Sequence, residues 1–199
     1  MAGKVEARKA ALREKLVEAA EIRIARDGAG ALRARDLAQD AGCALGAIYN
    51  VFDDLNALIL TVNGRTFKRL GAAVKASVAE AGQEPPVRRL ILMSHAYLRF
   101  AAENTSLWKA LFDLRIPDGA AAPDWYMEAL EELFSNIAGP VSELFPDMEG
   151  EQTGLMVRAL FSSVHGIVSL GLEQRASGVP REKLEMMIEQ VLSRISEEN

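Results

Sequence analysis

Cysteine and histidine are almost missing from this chain: Cys43, His95 and His165 are the only ones in 199 residues. A single cysteine closes no intrachain disulfide, and so few nitrogen and sulfur donors nearly exclude a His/Cys metal site. No HExxH, CxxC, EF-hand, GxGxxG or Walker phosphate-loop spacing occurs. The sequence therefore predicts no enzyme, no metal and no cofactor, and Cys43 is expected to be a small inert residue in a turn. Threonine (4), isoleucine (10) and valine (13) are scarce beside 31 alanines and 24 leucines, so strands are disfavoured and helices favoured. No apolar stretch approaches the roughly 18 residues of a membrane span. The first fifteen residues alternate charge with alanine and lack a signal-peptide core. A soluble, cytoplasmic chain without a membrane partner is the expectation.

Charge is uneven. The net charge of −5 divides into +3 over residues 1–70 and −8 over residues 71–199. A basic first third on an acidic body points to an anionic partner for that third alone.

The periodicity predicts an all-α fold of about nine helices. Leu12, Leu16, Ala20 and Ile24 recur every fourth residue in a helix from Lys9 to Asp27 that Gly28 ends. A short segment, Arg33 to Ala41, turns Leu37 and Ala38 inward, and Gly42 closes it. A third, Leu45 to Phe52, turns Ile48 and Phe52 inward. Asp53 and Asp54 then offer an N-cap to a fourth, Leu55 to about Glu80. Five more follow: Val87 to Glu103, Leu107 to Arg115, Asp124 to about Phe145, Gln152 to Arg175, and Arg181 to Ser196. Between the sixth and seventh, Ile116 to Pro123 forms a loop, and Gly139-Pro140 marks a possible kink in the seventh.

The segment at 30–55 is a helix-turn-helix pattern with an unusual third helix. Its outward residues, Gly46, Ala47, Tyr49 and Asn50, are small or polar and carry no charge, whereas a solvated face would carry Lys or Glu. Small residues let a backbone approach another surface, and Tyr and Asn can bond phosphates and base edges.

The run Leu32-Arg33-Ala34-Arg35-Asp36-Leu37-Ala38-Gln39-Asp40-Ala41-Gly42-Cys43-Ala44-Leu45-Gly46-Ala47-Ile48-Tyr49-Asn50-Val51-Phe52 resembles the DNA-binding motif of the TetR family of transcriptional regulators. The features that match are Arg-Asp-Leu-Ala, the Ala-Gly turn, Gly-x-Ile-Tyr-x-x-Phe and the alanine-rich first helix ending at Gly28. The resemblance implies a two-domain homodimer in which the first three helices bind DNA and a larger domain binds a small ligand and dimerises. Tyr49, Arg35 and Gly46 retain the family pattern, and Arg33 and Asn50 join them as candidates for base-edge readout. Three positions depart from it: Ala44 replaces a capping Ser or Thr, Ala47 a common threonine, and Leu55 a lysine that touches phosphate. Fewer cationic contacts imply a shallower salt dependence.

Further on, His95-Ala96-Tyr97-Leu98-Arg99-Phe100-Ala101-Ala102-Glu103-Asn104, Leu107-Trp108 and Leu111-Phe112 resemble a TetR-type C-terminal domain named for a Trp-His-Gly signature, although Val164-His165-Gly166 lacks its tryptophan. Aromatic side chains concentrate here. Tyr97, Phe100, Trp108, Phe112, Trp125 and Phe161, with Met156 and His165, are the candidate lining of an apolar ligand pocket, against the plainer reading of core packing. The eighth helix is apolar nearly all round and must find cover, so it and the ninth are the expected dimer surface, with Ala159, Ser163, Leu170, Ile188 and Val191 facing a partner.

These expectations assemble into residues 8–54 as the DNA-binding domain, with the motif at about 33–52, and residues 55–199 as the ligand-binding and dimerisation domain. The function expected is a ligand-responsive repressor, a homodimer on a near-palindromic double-stranded operator whose affinity a small, mainly apolar effector modulates. The alternatives are a small-molecule-binding helical protein with a degenerate DNA-binding motif, and a helical hydrolase or lyase using His95 or His165 as base.

Overall fold

In the computed structural model, which describes residues 2–113, 123–173 and 179–195, the chain folds into nine α-helices and no strand among those residues. They are α1 (Ala2–Asp27), α2 (Ala34–Ala41), α3 (Leu45–Ile48), α4 (Leu55–Ala81), α5 (Pro86–Glu103), α6 (Thr105–Asp113), α7 (Asp124–Leu144), α8 (Gly150–Leu172) and α9 (Leu184–Arg194). The predicted loop from Ile116 to Pro123 lies outside the described residues except at its last position.

Contacts divide the chain into two units: Met1–Phe67 with Asn104–Tyr126, and Lys68–Glu103 with Met127–Asn199. The seam runs inside α4 and α7 and differs from the 54/55 boundary drawn from the sequence, because α6 packs on α1.

The first unit is built on the α1 stripe. Leu16, Val17, Ala20 and Ile24 are fully buried and meet Leu37 of α2, Ile48 of α3, Leu58 and Val62 of α4, and Leu107 and Ala110 of α6. Gly28 ends α1 at φ +81, its N–H donating to Ile24 O at 2.9 Å, and a short 3-10 turn, Ala29–Ala31, follows that the sequence pattern did not show. At the start of α4, Asp54 is the cap expected: the Ala57 N–H donates to Asp54 Oδ1 at 2.7 Å.

The end of α6 is held by side chains. Asn63 of α4, fully buried, donates from Nδ2 to Ala110 O at 2.8 Å, and the Tyr126 hydroxyl of α7 donates to Leu111 O at 3.2 Å.

In the second unit α9 packs on α5 and α8. Gly171 of α8 is where Leu184 of α9 sits, so close that a Cβ there would collide with the leucine side chain. Arg89 of α5 pairs with Glu143 of α7. Helix α7 runs on through Pro140, which is buried.

One sequence expectation is corrected by α8. It holds an 18-residue window of mean hydropathy 1.5, so by length and composition it is apolar enough to cross a membrane. The search for unbroken apolar runs missed it because Arg158 and His165 interrupt the stretch without lowering its average far. The helix is two-sided: Val157, Leu160, Val164 and Val168 are buried, whereas Leu155, Ala159, Ser163 and Leu170 are exposed.

Candidate nucleic-acid interface and apolar cavity

The turn between α2 and α3 is a Schellman closure. Gly42 is left-handed at φ 65, ψ 40, and its N–H reaches Gln39 O at 3.2 Å while the Cys43 N–H reaches Ala38 O at 2.9 Å. Cys43 packs against the cluster that contains Ala38, the apolar contact that accompanies this motif. Its place is structural. From α1, Arg23 pairs with Asp36 at 3.3 Å and, more closely, with Asp40, so both turns of α2 are tied to the long helix. The hydrogen bond between them raises the pKa of Arg23 and lowers that of Asp40.

Helix α3 is shorter than predicted. It is regular only from Leu45 to Ile48, and Tyr49 to Val51 continue as a turn held by Val51 N–H to Ile48 O (3.0 Å) and Phe52 N–H to Ile48 O (2.9 Å). Ala44 at its start offers no side-chain cap. Ile48 and Phe52 are buried as expected.

All six candidate DNA contacts lie in the first unit. Arg33 precedes α2 and is exposed, with Nη1 donating to Gly30 O and Leu32 O at 2.9 Å each. Arg35, on the first turn of α2, is exposed, as are Gly46 and Asn50, while Ala47 is half-buried. Tyr49 keeps 52% of its surface exposed, unusual for an aromatic. Nothing stands within 4 Å of where a Gly46 Cβ would be, so the backbone there is open. Residues 41–52 carry no charge.

The second unit contains an apolar cavity of about 40 Å³, lined by Val74, Leu90, Met93, Leu133, Ile137 and Leu192 with Tyr97, Phe161 and Val164. A ligand pocket typically has 300–1,000 Å³, and about 150 Å³ admits benzene. As it stands the cavity has room only for water-sized molecules. Anything larger would have to displace lining side chains, among them the pliable Met93. Its polar groups are internally satisfied. Ser94, also in the lining, donates to Leu90 O at 2.8 Å, and Tyr97 Oη lies 2.8 Å from His165 Nδ1. Burial lowers the His165 pKa and so favours the neutral ring; in the tautomer protonated at Nε2, the Tyr97 hydroxyl donates. The Phe161 ring stacks on His165 with centroids 5.6 Å apart.

The eight ligand candidates therefore separate. Tyr97 and Phe161 line the cavity and His165 bonds to Tyr97. Phe100 is buried on α5 and Met156 half-buried on α8, but neither lines it. Trp108, Phe112 and Trp125 belong to the first unit. There Trp108 meets Phe112 edge-on at 5.5 Å, and Trp125 covers Gly64, where a Cβ would strike the indole. Val74, Leu133, Ile137 and Leu192 were missed because aliphatic lining has the same periodicity as core.

Among the five dimer candidates, Ala159, Ser163, Leu170 (64% exposed) and Val191 are exposed. Ile188 is not. It is 0% exposed, facing the body of its own unit, and this corrects its assignment to a partner surface. Met186 is a further exposed apolar residue on α9, outside the expected set.

An all-helical chain whose first unit carries a tightly closed helix-turn-helix is of the helix-turn-helix class. Residues 90–195, just over half of the chain, match the family described as Tetracyclin repressor-like, C-terminal domain. The chain belongs to the tetracyclin repressor-like (TetR) family. An uncharacterized HTH-type transcriptional regulator of Mycobacterium tuberculosis is 28% identical over 129 residues, 64% of this chain and 63% of that protein. The match thus spans less than two thirds of that curated relative. A protein of unknown function from Rhodococcus sp. RHA1 superposes with TM-score 0.74 at 25% identity, covering 92% of this chain and 94% of that one. RolR, solved in complex with the ligand resorcinol, has TM-score 0.69 at 16% identity over 97% and 93% of the two chains.

Proposed function

We propose that this protein is a sequence-specific DNA-binding transcriptional regulator, a cytoplasmic repressor whose operator affinity a small, mainly apolar effector modulates. The observation that carries the reading is the uncharged segment Gly46–Asn50, with Gly46, Tyr49 and Asn50 exposed, presented by a closed Gly42 turn and braced through Arg23. Exposed Tyr49 beside an open glycine backbone suits close approach to a duplex, and Arg33, Arg35 and Asn50 are the candidates for base edges. Residues 8–54 form the DNA-binding domain in this reading, and residues 55–199 bind the effector and the second copy. Exposed Leu170 and Val191, with Ala159 and Ser163, supply a self-complementary apolar surface for a homodimer, which pairs with a near-palindromic site. The cavity beside Tyr97 is where an effector would enter, and RolR with resorcinol shows a chain of the same fold holding a small ring compound. An effector that prefers one arrangement of two reading heads changes DNA affinity by its differential affinity for that arrangement.

Selection of bound duplexes from a random pool tests this directly. A recovered, near-palindromic consensus is the expected result. A pool that gains no consensus after repeated rounds, from a chain that melts cooperatively, would refute sequence-specific binding and favour a small-molecule-binding protein with a degenerate motif.

A further inference from the structure

The arginines of the first unit are not equally neutralised. Arg23 pairs with Asp36 and Asp40, Arg26 with Asp27, and Arg65 with Glu14 and Glu21. Arg13 has no carboxylate partner among the described residues. Its guanidinium lies 4.8 Å from the centroid of the Phe52 ring, and Nη2 donates to Thr61 Oγ1 at 3.2 Å, a hydroxyl that in turn donates to Ala57 O at 2.9 Å. Ring and hydroxyl fix the guanidinium in place without cancelling its charge, and most of its N–H donors stay open.

Further side-chain contacts join the same two helices: Arg13 meets Thr61, while Glu14 and Glu21 meet Arg65. One turn back from Arg13, on the same face of α1, stands Lys9. It is exposed and forms no ion pair among the described residues. Phe52, beneath Arg13, closes the segment that carries Tyr49 and Asn50. Arg13, an uncompensated cation, thus stands over the end of a reading segment that has no charge of its own, with Lys9 one turn away on the same face of α1. Of the two acids that follow Phe52, Asp54 is engaged in capping α4 and Asp53 is exposed.

We infer that Lys9 and Arg13 bind the phosphate backbone of the DNA and supply the charge that α3 and the start of α4 lack. The inference rests on the DNA-binding reading and adds to it two contacts that carry no sequence information. Each phosphate neutralised contributes about 0.9 to the slope of log affinity against log salt concentration.

The test is a salt titration of duplex binding by fluorescence anisotropy, using the full chain and the selected duplex. The double variant Lys9→Gln/Arg13→Gln should bind with a slope shallower by about 1.8 and lose affinity most at low salt. Its ranking of point-mutated duplexes should match wild type. Arg13→Lys, which keeps the charge, should keep the slope. Adding Leu55→Lys to the double variant should restore about 0.9 of the slope. If Arg13→Gln lowers the melting temperature, Lys9→Gln alone remains informative, with an expected change of about 0.9. A wild type that binds DNA with a slope the variants share overturns this inference and leaves the regulator reading standing. A wild type that binds no duplex overturns both.

Discussion

Replacing Gly46 by alanine separates the stability of the reading segment from its use. The residue is the second of α3, its φ is not positive, and nothing lies within 4 Å of the added methyl. A glycine inside a helix costs roughly 0.5–1 kcal/mol relative to alanine. In a first turn the gain from Gly46→Ala should be at the low end. For a chain of this length, 1 kcal/mol corresponds to about 2–4 °C in melting temperature, so Tm should hold or rise by a degree or two. The same methyl stands on an open backbone proposed to face the duplex. Pushing that backbone away should cost about as much as one mismatched base pair, roughly 1–3 kcal/mol. At about 1.4 kcal/mol per decade, affinity should fall roughly 5- to 150-fold. Anisotropy at one fixed salt concentration gives the affinity and calorimetry gives Tm. Equal affinity for Gly46→Ala and wild type would refute the close approach. A fall in Tm would refute the open space.

Other substitutions test the neighbouring claims. Tyr49→Phe and Arg35→Ala should each weaken operator binding with Tm nearly unchanged, since both side chains are exposed, and isotherms that overlay wild type would move the reading surface elsewhere. Leu170→Glu should convert a dimer to monomer by light scattering without unfolding it. Ile188→Ala should instead lose about 2–5 kcal/mol of stability, because its side chain is fully buried. His165, whose pKa burial lowers, should make stability depend on pH. The unfolded chain takes up this proton near its ordinary pKa of about 6.5 while the folded ring stays neutral. Stability is then full above that pH, falls as the pH drops through it, and levels off once the folded ring also protonates. Melting temperatures of wild type and His165→Gln that run parallel from neutral to acidic pH would refute the assignment.

What the sequence showed clearly was the part governed by short-range rules. The α1 stripe, the glycines at 28 and 42, the inward Ile48 and Phe52 and the Asp54 cap all follow from spacing and capping chemistry, and the structure reproduces them. Helix α3 came out shorter at its C-terminal end, where a four-residue helix gives way to a turn at Tyr49 that the periodicity of Ile48 and Phe52 does not distinguish from a helix. Long-range docking was not visible. Nothing in the local pattern of α6 says that Leu107 and Ala110 complete the core around α1 or that Asn63 holds its end. For the same reason, aromatics close in sequence fall into two units, Tyr97 beside a cavity and Trp108 against Phe112. Ile188 illustrates a further limit of periodicity: an apolar position on an amphipathic helix does not say whether the body or a partner covers it.

The first unit is discontinuous, since its core needs both the opening 67 residues and α6. A ribosome that has released only α1 to the start of α4 has delivered a hydrophobic cluster with one wall missing. Leu107 and Ala110 arrive some fifty residues later, after the whole of α5. The nascent reading segment therefore waits, with part of its apolar surface uncovered, until α6 emerges and closes it, and Tyr126 is the last residue to be delivered, pinning the end of α6. Cutting the chain after α4 to obtain a minimal DNA-binding fragment would reproduce that unfinished state permanently.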